Sequence, residues 1–444
     1  MELIVASGVT FVLLILSVYR GMFLAYPLMV AVVLFSIVAI RKGYKLKEIY
    51  QMGYRGGKKS LVVIKIFILI GAIVPIWMAS GTVPAIVYYG INLIIPNLFI
   101  LFAFLISCFV SLMIGTCMGT AGVVGIALMV MARSGGVNLS ATAGAIIAGA
   151  YFGDRCSPMS SSASFVAFLT DTNIYDNIKN MFKSSIMPFA LSVVFYTMIS
   201  YIFPMNTSAD NINREIIRVF NLNLTVFIPA LIIIIFSLLK VKVKISMFVS
   251  IIVAFIISIF VQNEGILNCF KYMIYGFCLD RSDPLYAIIK GGGIISMLRT
   301  SLIVFLASIL AGIIEETEML NKIEDITKRA DSRYSIFRNV FITSIFTAAV
   351  GCSQTFTVML THMLNKKAYE KNNLDNYILA LDLENTAILI AALIPWNAAL
   401  LSPMTILDTD ISCLPFLAYI YILPVSNLLY LRFRNGRRVL TVQK

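Results

Sequence analysis

Residues 143–164, AGAIIAGAYFGDRCSPMSSSAS, decide how the chain must be read. From Ala143 to Ala150 every side chain is small or apolar, which suits a closely packed helix. The run then meets Asp154, Arg155, Pro158 and a cluster of serines. A regular helix cannot be expected to pass through Pro158, which lacks an N–H and clashes with the preceding turn. Long apolar stretches flank the segment on both sides, so the interruption lies within an apolar region and not at its edge. Non-helical backbone at membrane depth is tolerated only where it is buried in protein or lines a cavity.

The rest of the chain places that interruption in a membrane. Of 444 residues, 59% are hydrophobic and 13% are charged, against about 45–50% and about 25% in soluble domains. A spanning helix needs about 20 mostly apolar residues, so this composition supplies about ten to twelve crossings. A soluble enzyme, a secreted disulfide scaffold and a disordered chain are excluded. The fold class expected is an all-α polytopic membrane protein with broken or re-entrant helices and inverted repeats.

Lys and Arg number 35 against 22 Asp and Glu, a net charge of +13. Their positions do not suit nucleic acid. Arg41, Lys42, Lys45, Lys47, Arg55, Lys58 and Lys59 cluster in 41–59 against one acid, Glu48, and Arg432, Arg434, Arg437, Arg438 and Lys444 fill the C-terminal tail. Basic clusters beside apolar spans mark cytoplasmic loops. Both termini are therefore expected in the cytoplasm, with an even number of crossings through the cell membrane. No basic segment precedes the first apolar run, so residues 3–19 read as a retained span. The seven cysteines form no C-x-x-C pair and read as small buried residues; no cofactor is expected.

Four regions follow. Residues 1–60 form an N-terminal hairpin (spans 3–19 and 22–40) and a basic loop at 41–60. Residues 61–203 form a first transport repeat, 224–431 a second, and 432–444 a basic tail. Further spans read at 61–79, 97–114, 186–203, 224–239, 245–261, 300–314 and 412–431, with Lys240, Lys242 and Lys244 marking another cytoplasmic turn. Interruptions fall at 115–125, 151–164, 284–298 and 382–397. A small-residue stretch at 115–120 precedes Asp154, and another at 351–355, which includes Cys352, precedes Asp382. Asp154-x-x-Ser157 is matched by Asp382-x-x-Asn385. Corresponding broken segments in two halves are what an inverted-repeat transporter presents, with substrate near the midplane.

Asp154, Asp382 and Glu384 are the acids set in strongly apolar context. A charge at the bilayer centre costs about 2.5–3.5 kcal/mol, so each needs a partner, a proton or an ion. A carboxyl that can hold either a proton or a metal cation, but not both comfortably, supports exchange of one for the other. Sodium is a hard cation and prefers oxygen. Ser157, Ser160, Ser161 and Ser162 lie near the first acid, and Asn385, Thr386 and Asn397 near the other two. Structural readings compete with these. Arg155 and Arg299 are possible charge partners, and Arg155 could neutralise a carboxylate outright. Asp382 and Glu384 could sit at a helix end near water. Gly115, Gly119, Gly122 and Gly125 could serve packing alone. His362 is the single histidine and reads as interfacial or as a pH sensor. With one histidine there is no zinc-protease motif; a nucleophile elbow and a P-loop are absent as well, which argues against an enzyme or an ATP-driven pump.

The run Ala143–Pro158, ending in Gly153-Asp154-Arg155-Cys156-Ser157-Pro158, closely resembles the signature of the NhaC family of sodium/proton antiporters. Leu393-Ile394-Pro395-Trp396-Asn397, preceded by Asp382-Leu383-Glu384-Asn385-Thr386, resembles that family's second signature. The likeness extends from about residue 60 to about residue 430. It implies a carrier with inverted repeats that exchanges sodium and protons by alternating access, or, in some relatives, an ion-coupled carrier of a small organic solute such as a carboxylate or amino acid. Asp154, Ser157, Asp382, Glu384, Asn385, Thr386 and Asn397 become the cation-site candidates, with Ser160 and Ser161 beside them. One departure stands out. Many members carry Ser-Asp-Thr after the proline, where this chain has Ser160-Ser161-Ser162, so a carboxylate is missing at 161. The expected partners are the lipid bilayer, sodium and protons, and a second copy in a homodimer.

Overall fold

The computed structural model describes residues 2–20, 22–93, 95–205, 209–239, 241, 243–279, 286, 290–317, 327, 330–351 and 353–434. Lys240, Lys242, Cys352, Arg437, Arg438 and Lys444 lie outside them. The protein is all-helical; among the described residues the strands are the two-residue pair Phe277–Cys278 and Lys290–Gly291. Pro96–Ile114, Ile174–Ile202 and Ile294–Glu316 are each long and apolar enough to span a bilayer. Phe67–Ala79 and Thr82–Tyr89, bent by 65° at the break between them, are together long and apolar enough for one broken span or a re-entrant loop. Other apolar helices are shorter or are interrupted partway. Side chains such as Ile186, Met187, Val194, Met198 and Ile202 project outward from Ile174–Ile202, as a lipid-facing surface requires.

One expectation is revised. The segment read as a basic loop at 41–60 is helical from Leu46 onward and continues unbroken to Ala79. Glu48 accepts from the Lys45 N–H at the helix start, and the charged residues that suggested a loop are good helix formers once their heads reach water.

An internal two-fold repeat organises the core. Thr116 and Ser353, Asn138 and Asp375, and Ser160 and Asn397 are each 237 positions apart, and all six residues precede the first turn of a helix. Thr116 and Ser353 have nearly the same backbone, at φ −146°, ψ 137° and φ −148°, ψ 135°. Pro158 and Pro395 share the spacing. So do the contacts between the helices Leu46–Ala79 and Ile294–Glu316. A Cβ on Gly56 would fall 2.2 Å from the Ser308 carbonyl oxygen, and one on Gly71 2.8 Å from the Ile294 Cα and 3.0 Å from the Gly293 oxygen. Exchanging 56 for 293 and 308 for 71 maps the first contact onto the second, so the pseudo-two-fold axis passes through this crossing.

Each repeat contributes a helical hairpin and a broken helix. The first hairpin has legs Phe99–Ile114 and Cys117 to Ser134, the second leg passing through a widened turn at Ala121–Gly125. Both of its ends meet Met205: Pro96 accepts from the Met205 N–H, and Gly135 packs against the Met205 side chain. The second hairpin has legs Arg333–Gly351 and Gln354–Lys371, tied across by Thr347 to Thr361 at 2.8 Å and by Asn365 to Thr343 at 2.8 Å. Its ends meet at Asp382, which accepts from Arg333 and Tyr369.

The two hairpins enter from opposite ends of the molecule. The broken helix Leu139–Cys156 and Ser161–Thr170 starts beside the base of the first hairpin. It finishes where the Asn173 N–H meets the Tyr377 hydroxyl, beside the base of the second. The other broken helix, Asn376–Asn385 continuing to Ala398–Ile406, runs the opposite way and ends at Asp408, paired with Arg133 on the first hairpin. Two broken helices therefore cross antiparallel between two opposed hairpin tips.

Candidate functional site

The hairpin tips meet at Asp154. Gly115 ends the first leg at φ +73°, a left-handed conformation that costs other residues about 1–2 kcal/mol. A Cβ there would lie 2.5 Å from the Met159 carbonyl carbon. The turn aims the Cys117 N–H at the Asp154 carboxylate. From the other tip, the Gln354 side-chain amide reaches Asp154 Oδ2 at 3.4 Å, and the Ser162 hydroxyl donates to the same oxygen at 3.2 Å. Asp154 is 5% exposed, and all three of these donors are neutral.

The carboxylate faces a cavity of about 550 Å³. Thr116 to Gly119 and Ser353 to Phe356, the two tips, line it together with Tyr151, Asp154 and Ser161. It extends away from Asp154 between the crossed helices to Gly56, Gly312 and Glu315, at the end of the molecule where Arg55 pairs with Glu316 and the Lys42 amine reaches the Thr317 carbonyl. Tyr151 donates to the Ala399 carbonyl at 2.7 Å and so braces the wall against the second broken helix.

The other acids are placed differently. Asp382 is buried in an ion pair with Arg333, supplemented by the Tyr369 hydroxyl, at the base of the second hairpin. Its symmetry counterpart is Ala145, whereas the counterpart of Asp154 is Ala391. The expected matching of Asp154 with Asp382 is therefore out of register with the folded repeat. Glu384 is fully buried, and among the described residues neither carboxyl oxygen has a hydrogen-bond partner. It lies within electrostatic reach of both Arg155 and Asp154 but does not line the cavity.

Arg155 makes no ion pair with Asp154. Its guanidinium turns to Ser184 at 2.8 Å, Tyr419 at 3.2 Å, Ser185 and Asn385. It ties the first broken helix to Ile174–Ile202, Asn376–Asn385 and Ala418–Arg434. Arg299 is exposed and is not brought to any of the three acids. Among the oxygen candidates, Ser161 lines the cavity. Ser157 bonds the Leu112 carbonyl, and Ser160 caps the Ser161–Thr170 helix. Asn397 caps Ala398–Ile406 and donates to the Ala348 carbonyl at 2.9 Å. Thr386 bonds the Asp382 carbonyl and accepts from Ser344. Asn385 is taken up by Arg155. These last five hold the interruptions open rather than facing the cavity. His362 is buried, and its Nε2 has no partner among the described residues.

Sequence reasoning passed over Gln354 and the Cys117 backbone. Gln354 lies in the small-residue stretch 351–355, where the absence of charge hid it; the 237-residue spacing, which pairs it with Cys117, would have drawn attention to both.

Residues 1–163 and 149–433 match a family model described as the Na+/H+ antiporter family. The chain is similar to the Na(+)/H(+) antiporter NhaC of Bacillus subtilis (strain 168), with 28% identity over 411 residues, covering 91% of each chain. It is 26% identical over 407 residues to the Malate-2H(+)/Na(+)-lactate antiporter of the same organism, covering 89% of this chain and 86% of that one. It is 25% identical over 403 residues to the Arginine/ornithine antiporter ArcD of Halobacterium salinarum, covering 89% and 83%.

Proposed function

The chain belongs to the Na+/H+ antiporter family, and we propose that it exchanges sodium for protons across the cell membrane by alternating access, with Asp154 as the group the two ions share. The observation that carries this assignment is the environment of Asp154: a buried carboxylate facing a cavity, held among the described residues by neutral donors. A charge at membrane depth without a fixed counter-ion needs a mobile one. A proton neutralises the carboxylate covalently and a sodium ion neutralises it by coordination, so each excludes the other. Ser161 and Ser162, beside the acid, are oxygen donors of the kind a hard cation takes. This is transport and not enzymatic chemistry, and the ion gradients supply the drive, so no cofactor enters the scheme.

Glu384 belongs to the same proposal as a second titratable group, coupled to Asp154 by charge and not by shared ligands. Asp382 is assigned a structural role through its ion pair. Both termini are placed in the cytoplasm on the strength of the basic residues 41–59, which puts the cavity's far end at Gly312 and Glu315 on the cytoplasmic side. The conformer is then inward-facing. A homodimer in the bilayer completes the reading and is tested by light scattering of the purified carrier.

A second reading is favoured by the size of the cavity. About 550 Å³ far exceeds the roughly 30 Å³ share of one water molecule, and it falls within the range of small-molecule sites. An ion-coupled carrier of an organic solute fits that space, and two of the relatives above are named for organic solutes.

The test uses purified protein in liposomes with an internal pH dye. External sodium, but not potassium, should move protons outward in wild type, and Asp154→Asn should abolish the signal. Wild-type exchange in a folded Asp154→Asn protein would overturn the site assignment.

A further inference from the structure

We propose that Arg155 is a positioning residue that changes partner during transport: it holds Asn385 in the state described above and takes Glu384 as its counter-ion in the opposite-facing state. This rests on the alternating-access carrier reading above and names the contact that sets the balance between its two states.

Unmatched groups are the first ground. Arg155 and Glu384 are both fully buried. Among the described residues every group bonded to the guanidinium is neutral: the side chains of Ser184, Ser185, Tyr419, Asn385 and Cys156, and the Met181 carbonyl. The Arg155 Nε and both carboxyl oxygens of Glu384 have no partner among those residues. A buried polar group left without a partner is costly, and a charged one most of all. Here the missing acceptor and the missing donor lie within electrostatic reach of each other. They are also one residue away from an existing bond, since Asn385 already accepts from Arg155. Asp154, the other acid within reach of Glu384, is held at the cavity by Gln354 and Ser162. Glu384 is the acid left for Arg155.

The second ground is how the two partners are mounted. Arg155 is fixed through Ser184, Ser185 and Tyr419 to the helices Ile174–Ile202 and Ala418–Arg434. Glu384 and Asn385 end the half-helix Asn376–Asn385, and Thr386 leaves helical geometry at φ −125°, ψ −74°. Successive helical residues point about 100° apart, so rotating this last turn about its axis brings Glu384 to the place of Asn385. The 237-residue spacing matches Arg155 with Ala392 and Glu384 with Ile147. The pair therefore has no counterpart in the other repeat, and it favours one state over the other instead of serving both alike.

The test reads the state itself, by maleimide labelling of purified carrier in lipid nanodiscs, above the background of the native thiols. Ser308 lines the present cavity. Met297 is buried and is the repeat counterpart of Ser60, which also lines that cavity, so Met297 is expected to face the cavity of the opposite state. Glu384→Gln should slow labelling of Met297→Cys by roughly tenfold or more, the worth of one charge-assisted hydrogen bond, while labelling of Ser308→Cys does not fall. Asn385→Asp, which sets a carboxylate on Arg155 in the present state, should give the same shift, and Glu384→Asp should keep most of the labelling. In an Arg155→Gln background neither Glu384→Gln nor Asn385→Asp should have an effect; if that background does not fold, the other variants decide. Unchanged Met297→Cys labelling in folded Glu384→Gln or in folded Asn385→Asp overturns the inference, because a purely structural cluster would respond in melting temperature and not in labelling. Labelling absent from wild type overturns it too, since the state that pairs Glu384 is then not visited. The shift in labelling without sodium-driven flux in wild type keeps the pair and removes the sodium reading.

Discussion

Asp382→Asn should destabilise the carrier without removing its transport site. The substitution keeps size and one acceptor oxygen but deletes the charge opposite Arg333, whose side chain is 20% exposed against 2% for Asp382. Breaking a buried pair by removing one partner costs about 3–5 kcal/mol, because the remaining charge stays uncompensated. Partial exposure of Arg333 places the expected loss near the lower figure, about 3 kcal/mol. At about 1.4 kcal/mol per tenfold, that is roughly a hundredfold shift toward the unfolded state. The damage should concentrate at the base of the second hairpin, since Arg333 and Tyr369 stand on its two legs and Asp382 joins them. Denaturant titration in detergent measures the loss, and the sodium-driven pH signal normalised to folded protein measures function. Replacing both partners, Asp382→Leu with Arg333→Met, should recover most of the stability, as apolar replacements of buried pairs commonly do. Asp382→Asn with wild-type stability and no transport would refute this assignment and make Asp382 a working carboxylate.

Three further outcomes follow from the geometry. Gly115→Ala should lose transport and lower stability by at least the roughly 1–2 kcal/mol of a left-handed residue, since its Cβ would also meet the Met159 backbone at 2.5 Å; unchanged melting and flux would contradict the tip geometry. Glu384→Gln should fold and still bind sodium, but its flux should depend less on pH because one buried titratable group near Asp154 is gone; an unaltered pH–rate profile would deny Glu384 a part in coupling. Ser161→Asp adds a carboxylate to a cavity lining that already holds Asp154 and, at its far end, Glu315. It should tighten sodium binding by an amount on the order of 1 kcal/mol, read as a several-fold fall in the sodium KM; a raised KM would show that Ser161 does not face the bound cation.

The membrane class, the broken helices and the pairing of two halves were legible in the sequence because they depend on local properties. Apolar length sets the spans, and Pro158, Gly115 and Pro395 mark the interruptions. The register of the repeat was not legible. Asp154 and Asp382 are 228 positions apart, and matching by acid drew the two halves out of step with the caps, which repeat at 237. What the repeat preserves is the start of each half-helix: Thr116 with Ser353, Asn138 with Asp375, Ser160 with Asn397. Caps are neutral or common residues and carry little signal by composition. The fate of the charged residues depended on long-range contacts. Arg333 lies in a polar stretch 49 positions before the acid it holds, and nothing near Arg155 in sequence indicates that its guanidinium points away from Asp154. Ser157, Ser160 and Asn397 were found for their oxygens, and the structure uses those oxygens to cap and brace the interruptions around the cavity.

The central claim is that sodium and protons share Asp154. Uptake of radiolabelled sodium into acid-loaded proteoliposomes, with wild type beside folded Asp154→Asn, tests it most directly. Wild type should accumulate sodium above the bath as protons leave, and the variant should stay at the level of empty liposomes. Accumulation by Asp154→Asn at the wild-type rate would contradict the account.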